Sequence, residues 1–261
     1  MGRQRGAIRL EGRLGELCFY RLNGKDVVRR IGTVSRAHYE QSESMARVRE
    51  NAAEFSGASR AGKALREGLQ PYANEMGDTY LSGRLNGAMM RVMQQDNGMR
   101  GKRMISVVNH GAPLLGFRLN KERSLEAVMN QPYSIQVNGA RNEATMAMST
   151  FEPQTMVKAP KGASHFRLMM AMATVSNYSY TNEGYEPLHA AQNGLRAQAE
   201  SAAFLLNAPA TPLLSATLPG VALLGADVAL VVALGIRFYA EVNGAMNELN
   251  DGKAMDVVWV G

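Results

Sequence analysis

The sequence predicts an α+β protein: an N-terminal β-hairpin and a helical hairpin, followed by an immunoglobulin-like β-sandwich. Three observations carry that expectation. Apolar residues recur at steps of three and four between about residues 41 and 96, the spacing of one helix face. From about residue 105 the chain is rich in Thr, Val, Met and Ala and breaks into short runs with Asn-Gly and proline between them. Charge divides the same way. Residues 1–104 carry 19 Lys and Arg against 11 Asp and Glu, a net of +8, while 105–261 carry 10 against 12, a net of −2. Two parts follow, a basic β-hairpin plus helical hairpin region at 1–104 and a β-sandwich domain at 105–261.

At the N-terminus, Ala7-Ile8-Arg9-Leu10 reads as one strand and residues 16–22 as another. Asn23-Gly24 marks a type I′ hairpin turn, and residues 26–31 return. The returning strand sets Val27, Val28 and Ile31 beside Arg29 and Arg30, and arginines there suit a sheet edge, where charge discourages unwanted pairing. Met45, Val48, Ala52, Phe55, Ala58, Leu65 and Leu69 then trace an apolar helix stripe, with Glu43/Arg47 and Lys63/Glu67 as i,i+4 pairs. Gly57 and Gly62 fall inside this helix, at a propensity cost of about 2 kcal/mol together. Either another backbone approaches closely there, or the segment breaks into two shorter helices. Pro71 ends the segment. Asp78 is the expected N-cap of a second helix with Leu81, Leu85, Met89 and Val92 buried, and Asp96-Asn97-Gly98 stops it.

Strands are expected at 115–119, 133–137, 144–149, 165–174, 228–242 and 256–260, with turns at Asn138-Gly139 and Asn243-Gly244. The runs 137–143 and 242–248 differ at one position, which reads as favoured turn chemistry recurring. Residues 195–205 suit a short helix or a strand. Residues 201–226 carry no charge, but Pro209, Pro212 and Pro219 argue against a spanning helix and for a loop before a buried strand. No membrane insertion is expected. The basic N-terminus is followed by no apolar h-region, so the expectation is cytoplasmic synthesis without a signal peptide; Gly6 stands where myristoylation needs Ser or Thr.

The chemistry is sparse. Cys18 is the single cysteine, which excludes an intrachain disulfide and a Cys-based zinc site, and its neighbours Leu17 and Phe19 suggest a buried small apolar side chain. His38, His110, His165 and His189 are isolated from one another in sequence. No G-x-S-x-G elbow, Walker A motif or H-E-x-x-H occurs, and no carboxylate pair stands out. Neither catalytic residues nor a cofactor or metal site is expected. A basic set remains, in which Arg49, Arg60, Lys63, Arg66, Arg100, Lys102 and Arg103 are the candidate phosphate contacts, against the alternative of a solvated, partly paired face interspersed with Glu43, Glu50, Glu54 and Glu67.

The pattern Gly6-x-Ile8-x-Leu10-x-Gly12-x-x-Gly15-x-Leu17-x-Phe19-Tyr20, with Arg47-x-Arg49-Glu50-Asn51-x-x-Glu54-Phe55 after it, resembles an uncharacterised family of bacterial proteins of similar length. Pro160-x-Gly162-Ala163-x-His165-Phe166 and Leu234-Gly235-Ile236-x-Phe238-Tyr239-x-x-Val242-Asn243-Gly244 are similar to the same family. The resemblance implies one recurring architecture and brings no activity with it.

A non-enzymatic subunit that assembles with copies of itself, by strand addition through the N-terminal hairpin into a filament, tube or shell, fits both the missing chemistry and the charge asymmetry. Its candidate contacts are Phe19, Tyr20, Val27 and Val28 of the hairpin and Gly57 and Gly62 of the helix. The alternative is a nucleic-acid-associated structural protein, a virion or nucleoid component, that uses the basic helices. An enzyme of unrecognised type is the third reading.

Overall fold

A computed structural model describes residues 2–3, 9–32 and 34–261 of the chain, which divides into two compact units at Arg49/Glu50. The α+β class holds. The first unit is a four-stranded antiparallel sheet of β1 (Gly2–Arg3), β2 (Gly12–Leu14), β3 (Leu17–Leu22) and β4 (Lys25–Arg30), in the order β1-β4-β3-β2. Asn23 and Gly24 both take positive φ, 49° and 74°, as the tight turn between β3 and β4 requires. Of the strand expected at 7–10, Ala7 and Ile8 lie outside the described residues, and Arg9 and Leu10 are not in a strand.

Helix α1 (Arg36–Gln41) starts earlier than the spacing suggested, at Ser35, whose hydroxyl accepts from the His38 amide at 3.1 Å. Then α2 (Ala46–Gly68) begins after a short 3-10 turn. Arg49 Nη1 closes the gap between the two helices by donating to the carbonyls of Tyr39 at 2.6 Å and Ser42 at 2.9 Å.

In the second unit, α2 is followed by α3 (Tyr72–Met76), α4 (Leu81–Met93), α5 (Val107–His110) and α6 (Leu125–Val128). Next come β5 (Ser134–Val137), β6 (Glu143–Ala147), α7 (Pro153–Met156), β7 (His165–Ser176), β8 (Tyr178–Thr181) and β9 (Gly184–Pro187). The chain ends with β10 (Arg196–Glu200), β11 (Phe204–Leu205), β12 (Leu213–Thr217), β13 (Val228–Val242), β14 (Ala245–Glu248) and β15 (Ala254–Val260). The long strands β7 and β13 pair antiparallel along twelve residues, from His165 opposite Tyr239 to Ser176 opposite Val228. β10 and β11 line the far side of β7, and β14 and β15 lie end to end along β13. A smaller sheet has the order β12-β6-β5, and β8 and β9 form a hairpin.

Alternation along β7 and β13 places a core on each face of the large sheet. Phe166, Leu168, Met170 and Met172, with Leu230, Val232, Leu234 and Ile236, pack with Ala144, Met146, Leu214 and Ala216 of the small sheet. Met169, Ala171, Ala173 and Val175, with Ala229, Val231 and Ala233, pack under Leu65, Leu69, Leu85, Met89 and Val92 of the helices. The second unit is therefore layered as helices, large sheet and small sheet. Two antiparallel sheets do face each other, as a sandwich requires, but one of them carries helices on its other face. The expected boundary at 104/105 falls inside this shared core.

Several expectations change. α2 runs unbroken through Gly57 and Gly62, and its buried line is Glu54, Gly57, Ala58, Ala61, Gly62, Leu65 and Gly68. The expected stripe through Val48 and Phe55 faces outward instead, with those residues 48% and 54% exposed. The small residues are needed because other elements come so close: a Cβ at Gly57 would stand 2.5 Å from Cγ of Tyr185, and one at Gly68 would stand 2.7 Å from Cβ of Ala173. Asp78 is not the N-cap of α4, where Tyr80 stands; its carboxylate accepts from the amides of Tyr80 at 2.7 Å and Lys121 at 2.9 Å. Residues 115–119 form a turn and an extended piece rather than a full strand, although the Gly116 and Leu119 amides bond to the β15 carbonyls of Val257 and Met255. Residues 195–205 resolve into β10 and β11. No helix among the described residues is long and apolar enough to cross a membrane.

Candidate assembly surface

In the first unit, register decides which side chains share a face. Leu14 lies opposite Leu17, Phe19 lies opposite Val28, and Leu17 and Phe19 are two apart on β3, so Leu14, Leu17, Phe19 and Val28 line one side. Leu14 is 67% exposed and Leu17 41%, while Phe19 and Val28 are half-buried. The other side carries Cys18, Tyr20 and Leu22 of β3 with Val27 of β4. Val27 is buried at 5% exposure, and Cys18 is half-buried rather than enclosed. The unit thus holds four of the expected contacts on one small sheet, and it leaves leucines in water. The outermost strand on one side, β2, has three residues and, among the described residues, pairs with β3 alone.

Gly57 and Gly62 belong elsewhere. Both are buried in the second unit, Gly57 under the Tyr185 ring and Gly62 against Asn86 of α4, where a Cβ would meet Asn86 Oδ1 at 2.8 Å. They serve packing within the chain, and neither is at a surface a second molecule can reach.

Every one of the seven candidate phosphate contacts has a partner inside its own unit. Besides the two carbonyls held by Arg49, Arg60 pairs with Glu186 and donates to the Tyr185 carbonyl at 2.8 Å. Lys63 lies 3.7 Å from Glu67, and Arg66 bonds to Ser82. The Lys102 ammonium sits 5.5 Å from the Tyr180 ring centroid. Arg100 donates to Asn51 at 2.9 Å and lies 3.7 Å from Glu50, while Arg103 lies 3.8 Å from buried Glu54. Glu54 also accepts from the Gly101 amide at 2.8 Å. Glu50, Asn51 and Glu54, three of the polar residues of one resemblance motif, therefore clasp the 100–103 loop to α2.

A second charged group is enclosed. Arg237 on β13 donates to Glu75 at 2.7 Å and Glu248 at 3.2 Å and lies 3.6 Å from Glu200, with its guanidinium 5.5 Å from the Tyr72 ring centroid. Tyr72 donates to Glu200 at 3.0 Å; burial, and next the Glu200 charge, push its phenol pKa well up. This network ties α3 to β10, β13 and β14.

Sequence reading passed over Arg84, Arg91, Arg118 and Lys121, which line one groove beside α4. The available signal was the spacing Arg84-x-x-Gly87-x-x-x-Arg91, which sets two arginines and a gap on one helix face. The other two cations come from a loop whose approach to α4 no local pattern announces. Comparison with known proteins adds no assignment to this geometry: no family model, curated protein or solved structure matches the chain.

Proposed function

We propose that the chain is a non-enzymatic structural subunit that assembles with copies of itself into a filament, tube or shell through its N-terminal sheet. The observation that carries this reading is the row Leu14, Leu17, Phe19 and Val28, which begins with two exposed leucines on a sheet whose edge strand β2, among the described residues, is paired on one side. A sheet this small gains stability from more strands or a covered face, and strand addition supplies main-chain hydrogen bonds with little demand on side chains. A second copy suits the surface because the basic part, net +8, finds a complement in the part with net −2. Exposed Phe55 on α2 offers a further apolar contact. Under this reading the two facing sheets are the immunoglobulin-like body of the subunit, supported by their alternating inward residues.

Pairing of Arg49, Arg60, Lys63, Arg66, Arg100, Lys102 and Arg103 within the fold favours assembly over the nucleic-acid reading that those residues first suggested. Negative-stain electron microscopy of the purified full chain tests the proposal. Regular polymers or closed rings are expected, and isolated particles at the highest attainable concentration would overturn it.

A further inference from the structure

The groove beside α4 differs in charge from three other cavities, each of which has at least one carboxylate in its lining. It encloses about 490 Å³, and Arg84, Arg91, Arg118 and Lys121 line it without any carboxylate. The cavity at Asp256 is lined by Glu126 and Asp256, and the one at Glu75 mixes Glu75, Glu122 and Asp251 with Arg123 and Lys253. Four like charges in one concavity raise the local concentration of anions and repel one another when it is empty.

Arg84 builds the frame. Its Nη1 donates to the Arg118 carbonyl and its Nη2 to the Leu119 carbonyl, both at 2.7 Å, while Nη2 also pairs with Asp78 at 2.8 Å. Burial alone would raise the Asp78 pKa, but the Lys121 and Tyr80 amides and Arg84 outweigh it and hold the carboxyl below its ordinary range. Arg84 thereby fixes the loop that bears Arg118 and Lys121 against the helix that bears Arg91. Asp78 offsets one of the four charges, and Arg84 Nε, though buried, has no hydrogen-bond partner. Arg91 and Arg118 are exposed, and their guanidinium groups make no hydrogen bond or ion pair among the described residues, although Arg118 lies near enough to Asp256 to favour that carboxylate. Gly87 lies between Arg84 and Arg91, and a Cβ there would meet nothing within 4 Å, so the groove is open at its centre.

We infer that this groove is a binding site for the phosphate group of a small polyanion. Two exposed guanidinium forks beside an ammonium match a tetrahedral, multiply charged oxyanion better than a single carboxylate. The volume lies in the range of small-ligand pockets. Nucleic acid fits less well because Phe117, the aromatic ring lining the groove, is buried with the Arg84 guanidinium 4.9 Å from its centroid, and it offers no face to a base.

Isothermal titration of the full chain with pyrophosphate and, separately, with a short single-stranded oligonucleotide tests the site. Pyrophosphate should bind, more weakly as salt rises, and the Arg91→Gln/Arg118→Gln double variant should bind it at least about tenfold more weakly, with an unchanged melting temperature. A Lys158→Gln/Lys161→Gln variant, away from the groove, should bind as the wild type does. Three results would overturn the assignment: no pyrophosphate binding at low salt, equal weakening in both double variants, or binding of the oligonucleotide alone.

Discussion

The runs Val137–Glu143 and Val242–Glu248 are the same but for Arg141 in the first and Met246 in the second, and they fold into different turns. At Asn243-Gly244 both residues take positive φ, 53° and 77°, and Val242 pairs directly with Ala245. In the first run the positive φ falls on Arg141, at 54°, and Asn138 Oδ1 accepts from the amides of Asn142 and Glu143. The Arg141 side chain explains the choice: it donates to the carbonyls of Val228 at 2.6 Å and Gly225 at 2.7 Å. Arg141→Met should cost about 1–3 kcal/mol in urea unfolding, because those hydrogen bonds go and leave the carbonyls without the donor. Met246→Arg should change stability little. The turn residues were legible in the sequence; the deciding carbonyls, more than eighty residues further along, were not. Glycines divide on the same ground. Gly57→Ala should destabilise by about 1–3 kcal/mol, since its Cβ would strike the fixed base of the Tyr185 ring, whereas Gly87→Ala, with open space around it, should gain up to about 1 kcal/mol.

Among the elements, β7 and β13 were readable as strands because each is a long apolar run, and such runs are characteristic of strands covered on both faces. What covers each face could not be read, because helix and sheet present similar apolar surfaces to the strand. α2 misled for a related reason. Its buried line is mostly glycine and alanine, so hydropathy pointed to Val48 and Phe55, which face outward. Asp256 on β15 shows how one buried group joins two elements: its Oδ2 accepts from the Leu125 amide at the start of α6, at 2.9 Å, and its Oδ1 has no partner. Burial, chiefly, and the Glu126 charge raise its pKa to about 6, against the Leu125 bond and Arg118, which lower it. The folded state then holds this proton more tightly than the unfolded state, whose value is near 3.8, so the group's contribution to stability falls as pH rises from about 4 to about 6. Asp256→Asn keeps the acceptor for Leu125 and removes the titration. Urea midpoints measured across that window should therefore decline less in the variant than in the wild type; parallel curves would contradict this account of Asp256.

For the whole molecule, the charge division in the sequence was real, but its boundary was not that of the units, which part at Arg49/Glu50. Composition located basic residues and missed their occupation, because partners such as Glu186, Ser82 and Tyr180 come from distant segments. Arg91 and Arg118, which make no hydrogen bond or ion pair among the described residues, are cations that local pattern did not single out. The N-terminal hairpin was the most legible feature, from Asn23-Gly24 and the alternation around it, and its exposed leucines carry the assembly reading. Sedimentation velocity of the full chain beside Leu14→Glu/Leu17→Glu tests that reading most directly, since both leucines are exposed and their replacement leaves the second unit's core untouched. The wild type should sediment as multimers that grow with concentration, and the variant as a monomer of unchanged secondary structure. A wild type that stays monomeric throughout, or a variant that assembles equally well, would contradict it.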